Sequence, residues 1–218
     1  MNDLVEIDLG DNASLQRGAR IFVNYCLSCH SAAYMRYERL ANDLGISDEM
    51  LEENFLPAGK KPGDLMTIAM PEEDGKALFG KVPPDLTVVS RSRGPRWIYN
   101  YMRGFYREDE WPGRWNNIVF PNVAMPHVLY EWQGTQRALF ETDKDGAKSF
   151  VKFEIERPGA LDQEEYDAAV RDLTNFLVYL GEPARLVRYR IGAYVVVFLA
   201  VFLVFIYLLK KDYWKDVH

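Results

Sequence analysis

The spacing of apolar positions predicts two amphipathic helices, one early in the chain and one late. Residues 14–25 are predicted to form a helix, with Leu15, Ala19, Phe22 and Val23 on one apolar face. Ser14 is the expected N-cap of this first helix. Residues 162–180 place apolar side chains every three or four positions. Asp162 is the expected N-cap there, and Glu165 stands three residues later, which is the spacing of a capping box.

Strict alternation of polar and apolar residues predicts one strand, over residues 149–156. We expect three of its side chains on one half-buried face: Val151, Phe153 and Ile155. Residues 143–146 read Asp-Lys-Asp-Gly, which is typical of a hairpin turn leading back to a partner strand over residues 138–141. Residues 41–135 are rich in Pro, Gly and aromatic residues and predict irregular structure with short helices. The expected fold is therefore mainly α, with a small β-hairpin and long irregular loops.

A long apolar run near the end of the chain predicts a transmembrane helix. Residues 191–209 contain no charged side chain, and a helix of this length spans roughly 28 Å, close to the ~30 Å of a bilayer's hydrocarbon layer. Basic side chains flank the run on both sides, so the charge rule does not choose its orientation. We expect the chain to divide into a body over residues 1–183 and a membrane anchor over residues 184–218.

Charge is distributed unequally between these two parts. The chain holds 26 Lys and Arg against 32 Asp and Glu, for a net charge of −6. Residues 184–218 contribute six basic and two acidic side chains, so the body is strongly acidic. An acidic body repels nucleic-acid phosphates and attracts basic partners. With 48% hydrophobic residues the chain is also too apolar to be disordered.

The motif that carries chemistry is Cys26-Leu27-Ser28-Cys29-His30. Two thiols at this spacing can add to the two vinyl groups of a haem, and the following imidazole can bind its iron. A redox-active C-x-x-C pair would need a preceding strand, and a zinc site would need two further ligands. Because the chain has only these two cysteines, the sequence predicts one covalently bound haem c.

The sixth ligand of the iron decides between electron transfer and chemistry on a molecule that binds at the iron. An open position suits peroxide or gas chemistry, whereas a closed position suits electron transfer. The candidates are the seven methionines and His127. Met125 and His127 lie together in the loop-like segment of residues 121–127, and the residues alone leave them as competing ligands.

Further motifs resemble one known family. In chain order they are SLQRG (14–18), Asn24-Tyr25, MRYERL (35–40), VPPDLT (82–87), SRSR (90–93) and NVAMP (122–126), followed by the C-terminal anchor. Over about residues 11–215 the chain resembles cytochrome c1, the haem c subunit of the cytochrome bc1 complex (ubiquinol–cytochrome c reductase), and most of all its compact proteobacterial form. The resemblance implies that Met125 is the sixth ligand and that Pro83 and Pro84 lie beside the haem.

The resemblance also implies an arginine that meets a haem propionate. Alignment on Pro-Pro-Asp-Leu selects Arg93, which we prefer, whereas alignment on residues 97–105 selects Arg91. Trp97 stands where many members have Tyr, and Arg96 stands where an acidic residue is common.

The function implied by the resemblance is a relay of single electrons from the Rieske iron–sulfur protein to a cytochrome c. Cytochrome b would pack against the anchor helix, which would also contact membrane lipid. The complex would be dimeric and would oxidise quinol in a respiratory or photosynthetic chain. The body would be periplasmic at the bacterial inner membrane, with residues from Lys210 onward cytoplasmic, and would perform no bond chemistry itself. The acidic clusters at residues 52–53, 72–74, 108–110 and 164–165 are candidate docking sites for a basic cytochrome c.

Two alternatives remain at this point. An anchored monohaem subunit of a terminal oxidase or nitric oxide reductase would share the haem motif and the anchor. A haem enzyme or gas sensor with an open iron would share the haem motif alone.

Overall fold

The computed structural model describes residues 1–108, 115–144, 146 and 148–216, in two compact units, Met1–Gly181 and Glu182–His218. The helices are α1 (Asn12–Ile21), α2 (Tyr37–Leu44), α3 (Asp48–Asn54), α4 (Glu72–Phe79), α5 (Val89–Arg93), α6 (Pro95–Arg103), α7 (Tyr130–Gln133), α8 (Gln163–Gly181) and α9 (Arg185–Tyr213). The strands are β1 (Ala32–Arg36), β2 (Leu65–Met66), β3 (Phe105–Arg107), β4 (Trp115–Asn117), β5 (Gly134–Thr142) and β6 (Lys148–Pro158). The expected mainly α fold is confirmed.

The first predicted helix is present, but its N-cap differs from the prediction. Asp11 caps α1, and its side chain accepts a hydrogen bond from the backbone N–H of Ser14 at 3.0 Å. The Ser14 hydroxyl instead donates to Asp172 Oδ1 at 2.7 Å. The assignment of Ser14 was wrong because Asp is an equally good cap and stands three residues earlier. A π-helical turn, Phe22–Cys26, continues α1 to the haem motif.

The second predicted helix is confirmed together with its cap. Asp162 Oδ1 accepts from the Glu165 N–H at 2.9 Å, and Glu165 Oε2 accepts from the Asp162 N–H at 3.0 Å. This reciprocal pair satisfies two backbone donors that the start of α8 would otherwise leave without a partner. α8 then supplies the largest share of the buried core, including Leu173, Phe176 and Leu177.

α1 and α8 cross at close range. The crossing point is Gly18, where a Cβ would lie only 2.2 Å from the Asp172 carbonyl oxygen. Next to it, Arg17 forms an ion pair with Asp172 at 2.6 Å, and Phe22 packs against Phe176 with ring centroids 5.6 Å apart. The crossing fixes the helix that leads into Cys26 against the longest helix of the body.

The predicted hairpin is confirmed and is longer than expected, but its buried face differs. β5 and β6 pair antiparallel with Phe140 opposite Phe150 and Leu139 opposite Lys152, so Val151 is an extra residue in β6. This bulge interrupts the alternation of faces. Phe153 is half-buried as expected, whereas Val151 is 47% and Ile155 is 59% exposed, and their predicted burial was wrong. In the turn, Gly146 N–H donates to the Asp143 carbonyl, while Asp145 lies outside the described residues.

Two further two-stranded sheets were not predicted. β1 pairs with β2, and β3 pairs with β4 in the register Phe105 to Asn117. Their strands are two to five residues long, which is too short for a period of two to stand out in the sequence. β1 follows the haem motif directly, and β3 follows α6.

The second unit contains the expected C-terminal apolar helix. Val187–Tyr213 is a stretch of 27 residues whose most apolar 18-residue window has a mean hydropathy of 2.8, and none of that window is buried. Within the described ranges this is the one helix long and apolar enough to cross a membrane. The predicted span of residues 191–209 lies inside it.

Candidate functional site

The haem motif forms a tight turn at the end of the π-helical segment. The Cys26 carbonyl accepts from the backbone N–H of Cys29 at 3.0 Å and from that of His30 at 2.8 Å. Both cysteines are free thiols, Cys26 buried and Cys29 half-buried. Burial raises the pKa of the Cys26 thiol to about 12, so this thiol is protonated at neutral pH. The turn presents two thiols and one imidazole from five consecutive residues.

His30 has one ring nitrogen engaged. Its Nδ1 lies 2.7 Å from the Pro84 carbonyl oxygen. Because a carbonyl can only accept, Nδ1 carries the proton and Nε2 keeps its lone pair. Burial lowers the pKa of His30, which favours the neutral ring, although the bond to Pro84 opposes this shift. His30 is therefore oriented as a neutral ligand with Nε2 free.

The Pro83-Pro84 segment is held next to the haem motif by hydrogen bonds made by the two residues that follow it. The Leu86 N–H donates to the Ser31 carbonyl at 2.8 Å, and Asp85 Oδ2 accepts from the Ala33 N–H at 2.7 Å. These bonds hold the carbonyl that orients His30.

α4 packs against the same segment. A Cβ at Gly75 would lie 2.9 Å from Pro83 Cδ, which shows how closely the helix approaches. The acidic residues 72–74 form the first turn of α4, so this acidic cluster lies on the element that contacts Pro83. In another of the acidic clusters, Asp109 and Glu110 lie outside the described residues.

Met125 is held by an aromatic side chain of α6. The Tyr101 hydroxyl donates to Met125 Sδ at 3.3 Å. Trp97, four residues earlier on the same helix face, stacks on Tyr101 with centroids 4.8 Å apart and ring planes 11° apart. Phe105 contacts Tyr101 edge-on at 5.1 Å. Met125 itself is half-buried.

His127 lies in different surroundings from Met125. Its ring stacks on Phe105 at 4.8 Å with planes 3° apart, and Trp115 meets it edge-on at 5.1 Å. Only 2% of His127 is exposed, and burial lowers its pKa to about 4. The structure thus places His127 as a neutral ring within aromatic packing.

The three neighbouring arginines point to three different places. The Arg93 guanidinium lies over the Trp97 ring, 5.2 Å from its centroid. Arg91 lies against the end of α8, since a Cβ at Gly181 would be 3.3 Å from Arg91 Cγ. Arg96 donates from Nε to the Asn2 carbonyl at 3.1 Å. Arg93 is therefore the one of these three that contacts the aromatic row leading to Met125.

Sequence reasoning missed two sets of residues in this region. Tyr101 was not singled out, because an aromatic residue on a helix gives no sign of its hydrogen-bond partner. Asn116 and Asn117, which are consecutive in the sequence, were also missed. Asn117 Nδ2 donates to the Tyr101 carbonyl at 2.7 Å, and Asn116 Oδ1 accepts from the Asn122 N–H at 2.8 Å. The Asn-Asn pair before a Pro-containing loop was the available signal, since Asn side chains commonly bond to nearby backbone.

The donor set fits a haem c. Two free thiols stand at the required spacing, none of the described residues bonds to His30 Nε2, and the Met125 sulfur accepts one hydrogen bond while keeping a second lone pair. These are the ligand types that low-spin c-type haems use in electron transfer.

Comparison with known proteins identifies the family. The model of the Cytochrome C1 family matches residues 7–217. The cytochrome c1 of Allochromatium vinosum is 53% identical over 214 residues, covering 97% of this chain and 88% of that protein. A Nitrosomonas europaea protein named ammonia monooxygenase gamma subunit is 44% identical over 216 residues, 99% of this chain and 88% of that protein. Mitochondrial cytochrome c1 of Schizosaccharomyces pombe is 28% identical over 229 residues, 95% of this chain and 68% of that protein. The chain therefore belongs to the cytochrome c1 family, the electron-transferring subunits of the cytochrome bc1 complex, which carry one covalently bound haem c.

Proposed function

We propose that Cys26 and Cys29 would hold a haem c through thioether bonds, and that His30 Nε2 and Met125 Sδ would bind its iron. A bound haem c supplies a one-electron iron couple at this site. The observation that carries the assignment is the pair of oriented donors, His30 with Nδ1 bonded to Pro84 and Met125 bonded to Tyr101. With both residues bound to iron, the protein would relay electrons and would not bind a substrate at the metal.

Each surrounding residue has a role in this arrangement. The Pro84 carbonyl keeps the His30 ring in one orientation and increases the electron density on its free nitrogen. A thioether ligand favours ferrous iron, so Met125 raises the reduction potential relative to a second imidazole. Arg93, held over Trp97, is the arginine that pairs with a haem propionate.

The partners follow from membership of the complex. Single electrons pass from the Rieske iron–sulfur protein to a cytochrome c, and cytochrome b packs against α9 in a dimeric complex. The acidic body supports this route, since long-range attraction speeds the encounter with a basic cytochrome c without tight binding. The body lies in the periplasm, and the chain after α9 lies in the cytoplasm of a bacterium. Family membership disfavours a terminal oxidase, a nitric oxide reductase or an open-site haem enzyme.

Replacement of Met125 tests the ligand set. In Met125→Leu the oxidised protein should lose the weak near-red band of sulfur-to-iron charge transfer, and the reduced protein should bind carbon monoxide. Its midpoint potential should fall. The matched control is His127→Phe, which keeps a ring in the stack on Phe105 where Ala would open a cavity. The control should keep the band and resist carbon monoxide. The opposite pattern, with His127→Phe opening the iron and Met125→Leu silent, would show a bis-histidine haem.

A further inference from the structure

The hydrogen bond between Tyr101 and Met125 acts directly on a proposed ligand atom. The hydroxyl oxygen and Sδ are 3.3 Å apart. A thioether sulfur has two lone pairs, so it can accept this hydrogen bond and bind iron at the same time. The bond is therefore compatible with Met125 serving as an iron ligand.

The Tyr101 ring has little freedom to turn away. Trp97 stacks on one side of it, Phe105 contacts it edge-on, and its backbone carbonyl accepts from Asn117 Nδ2 at 2.7 Å. A phenol is protonated at physiological pH, so this hydroxyl has a proton to donate. Among the described residues, the Met125 sulfur is the acceptor within hydrogen-bond reach of this hydroxyl.

We propose that Tyr101 is a positioning residue that acts through the Met125 sulfur to favour the reduced haem. A donor on the sulfur draws electron density away from it, so the sulfur gives less to the iron. Ferric iron depends more on that donation than ferrous iron does, and the reduction potential rises as a result. Hydrogen bonds around the ligands are one of the means by which proteins tune haem and metal potentials. This inference rests on the proposed ligand set, in which Met125 binds the iron.

The test compares two tyrosine variants of the full chain, purified in mild detergent with its haem. Tyr101→Phe removes only the hydroxyl and keeps the ring stacked on Trp97, so folding is preserved. Tyr99→Phe is the matched control. Tyr99 lies on the same helix, and the central carbon of the Arg103 guanidinium is 4.6 Å from the centroid of its ring. Redox titration of the reduced haem absorbance gives the midpoint potential, and the near-red band reports the iron–sulfur bond.

We expect a lower midpoint potential in Tyr101→Phe with the near-red band retained at a shifted wavelength, and no change in Tyr99→Phe. The same replacement in the Met125→Leu background should leave the potential where Met125→Leu alone puts it, since the acting sulfur is gone.

Three results would overturn the proposal, and they separate its failure from that of the ligand set. If the wild-type protein shows the near-red band and Tyr101→Phe leaves the potential unchanged, Tyr101 does not act on the sulfur, although Met125 remains the ligand. If Tyr101→Phe abolishes the band, Tyr101 supports the loop and not the sulfur. If the wild-type protein lacks the band altogether, Met125 is not the ligand, and both proposals fail.

Discussion

The crossing of α1 and α8 gives a quantitative test of the fold at Gly18. Substitution Gly18→Ala would place a Cβ 2.2 Å from the Asp172 carbonyl oxygen and 2.6 Å from Phe176 Cβ. Neither atom can swing aside as the end of a long side chain would, because one is backbone and the other is bonded directly to it. The two helices must therefore separate by about 1 Å, against close packing on both sides.

The cost can be estimated from two opposing effects. Overpacking a core costs about 1–3 kcal/mol, and a clash with backbone belongs at the upper end of that range. Ala is a better helix former than Gly by about 1 kcal/mol in a helix interior, which offsets part of this cost. We expect a net loss of about 2 kcal/mol, equivalent to a melting temperature about 4–8 °C lower for a body of this size.

Thermal unfolding of the haem-loaded protein in mild detergent, followed by circular dichroism, measures the change. The matched control is Gly63→Ala, because a Cβ at Gly63 meets nothing within 4 Å. Gly63→Ala should melt close to the wild type. A melting temperature for Gly18→Ala equal to that of the control would refute the close approach of α1 to α8.

Two further predictions concern the start of α8 and the membrane anchor. Asp162→Ala should destabilise the body by about 1 kcal/mol in the same melting assay, because it removes the acceptor for the Glu165 N–H, whereas Asp162→Asn should recover most of the loss. Equal melting of the Ala variant and the wild type would argue against the capping box. A cytoplasmic reporter fused after His218 should be active, and a periplasmic reporter at the same place should be inactive. Activity of the periplasmic reporter would reverse the proposed orientation.

The elements that could be read from the sequence have local causes. The cap and the apolar spacing of α8 lie within one segment, and so does the uncharged run inside α9. The haem motif is equally local, because five consecutive residues define the spacing of its thiols and imidazole. The bulge at Val151 was missed because alternation within one strand does not show how the partner strand is paired.

Contacts between distant segments were decided only by the tertiary structure. The sequence left Met125 and His127 as equal neighbours in one loop, and folding puts Tyr101 on the first and Phe105 with Trp115 around the second. Folding also places Arg91 against Gly181 at the end of α8, 90 residues along the chain. The physical reason is that a hydrogen bond or ring contact depends on where two segments meet, and residue type and spacing within either segment do not specify that meeting.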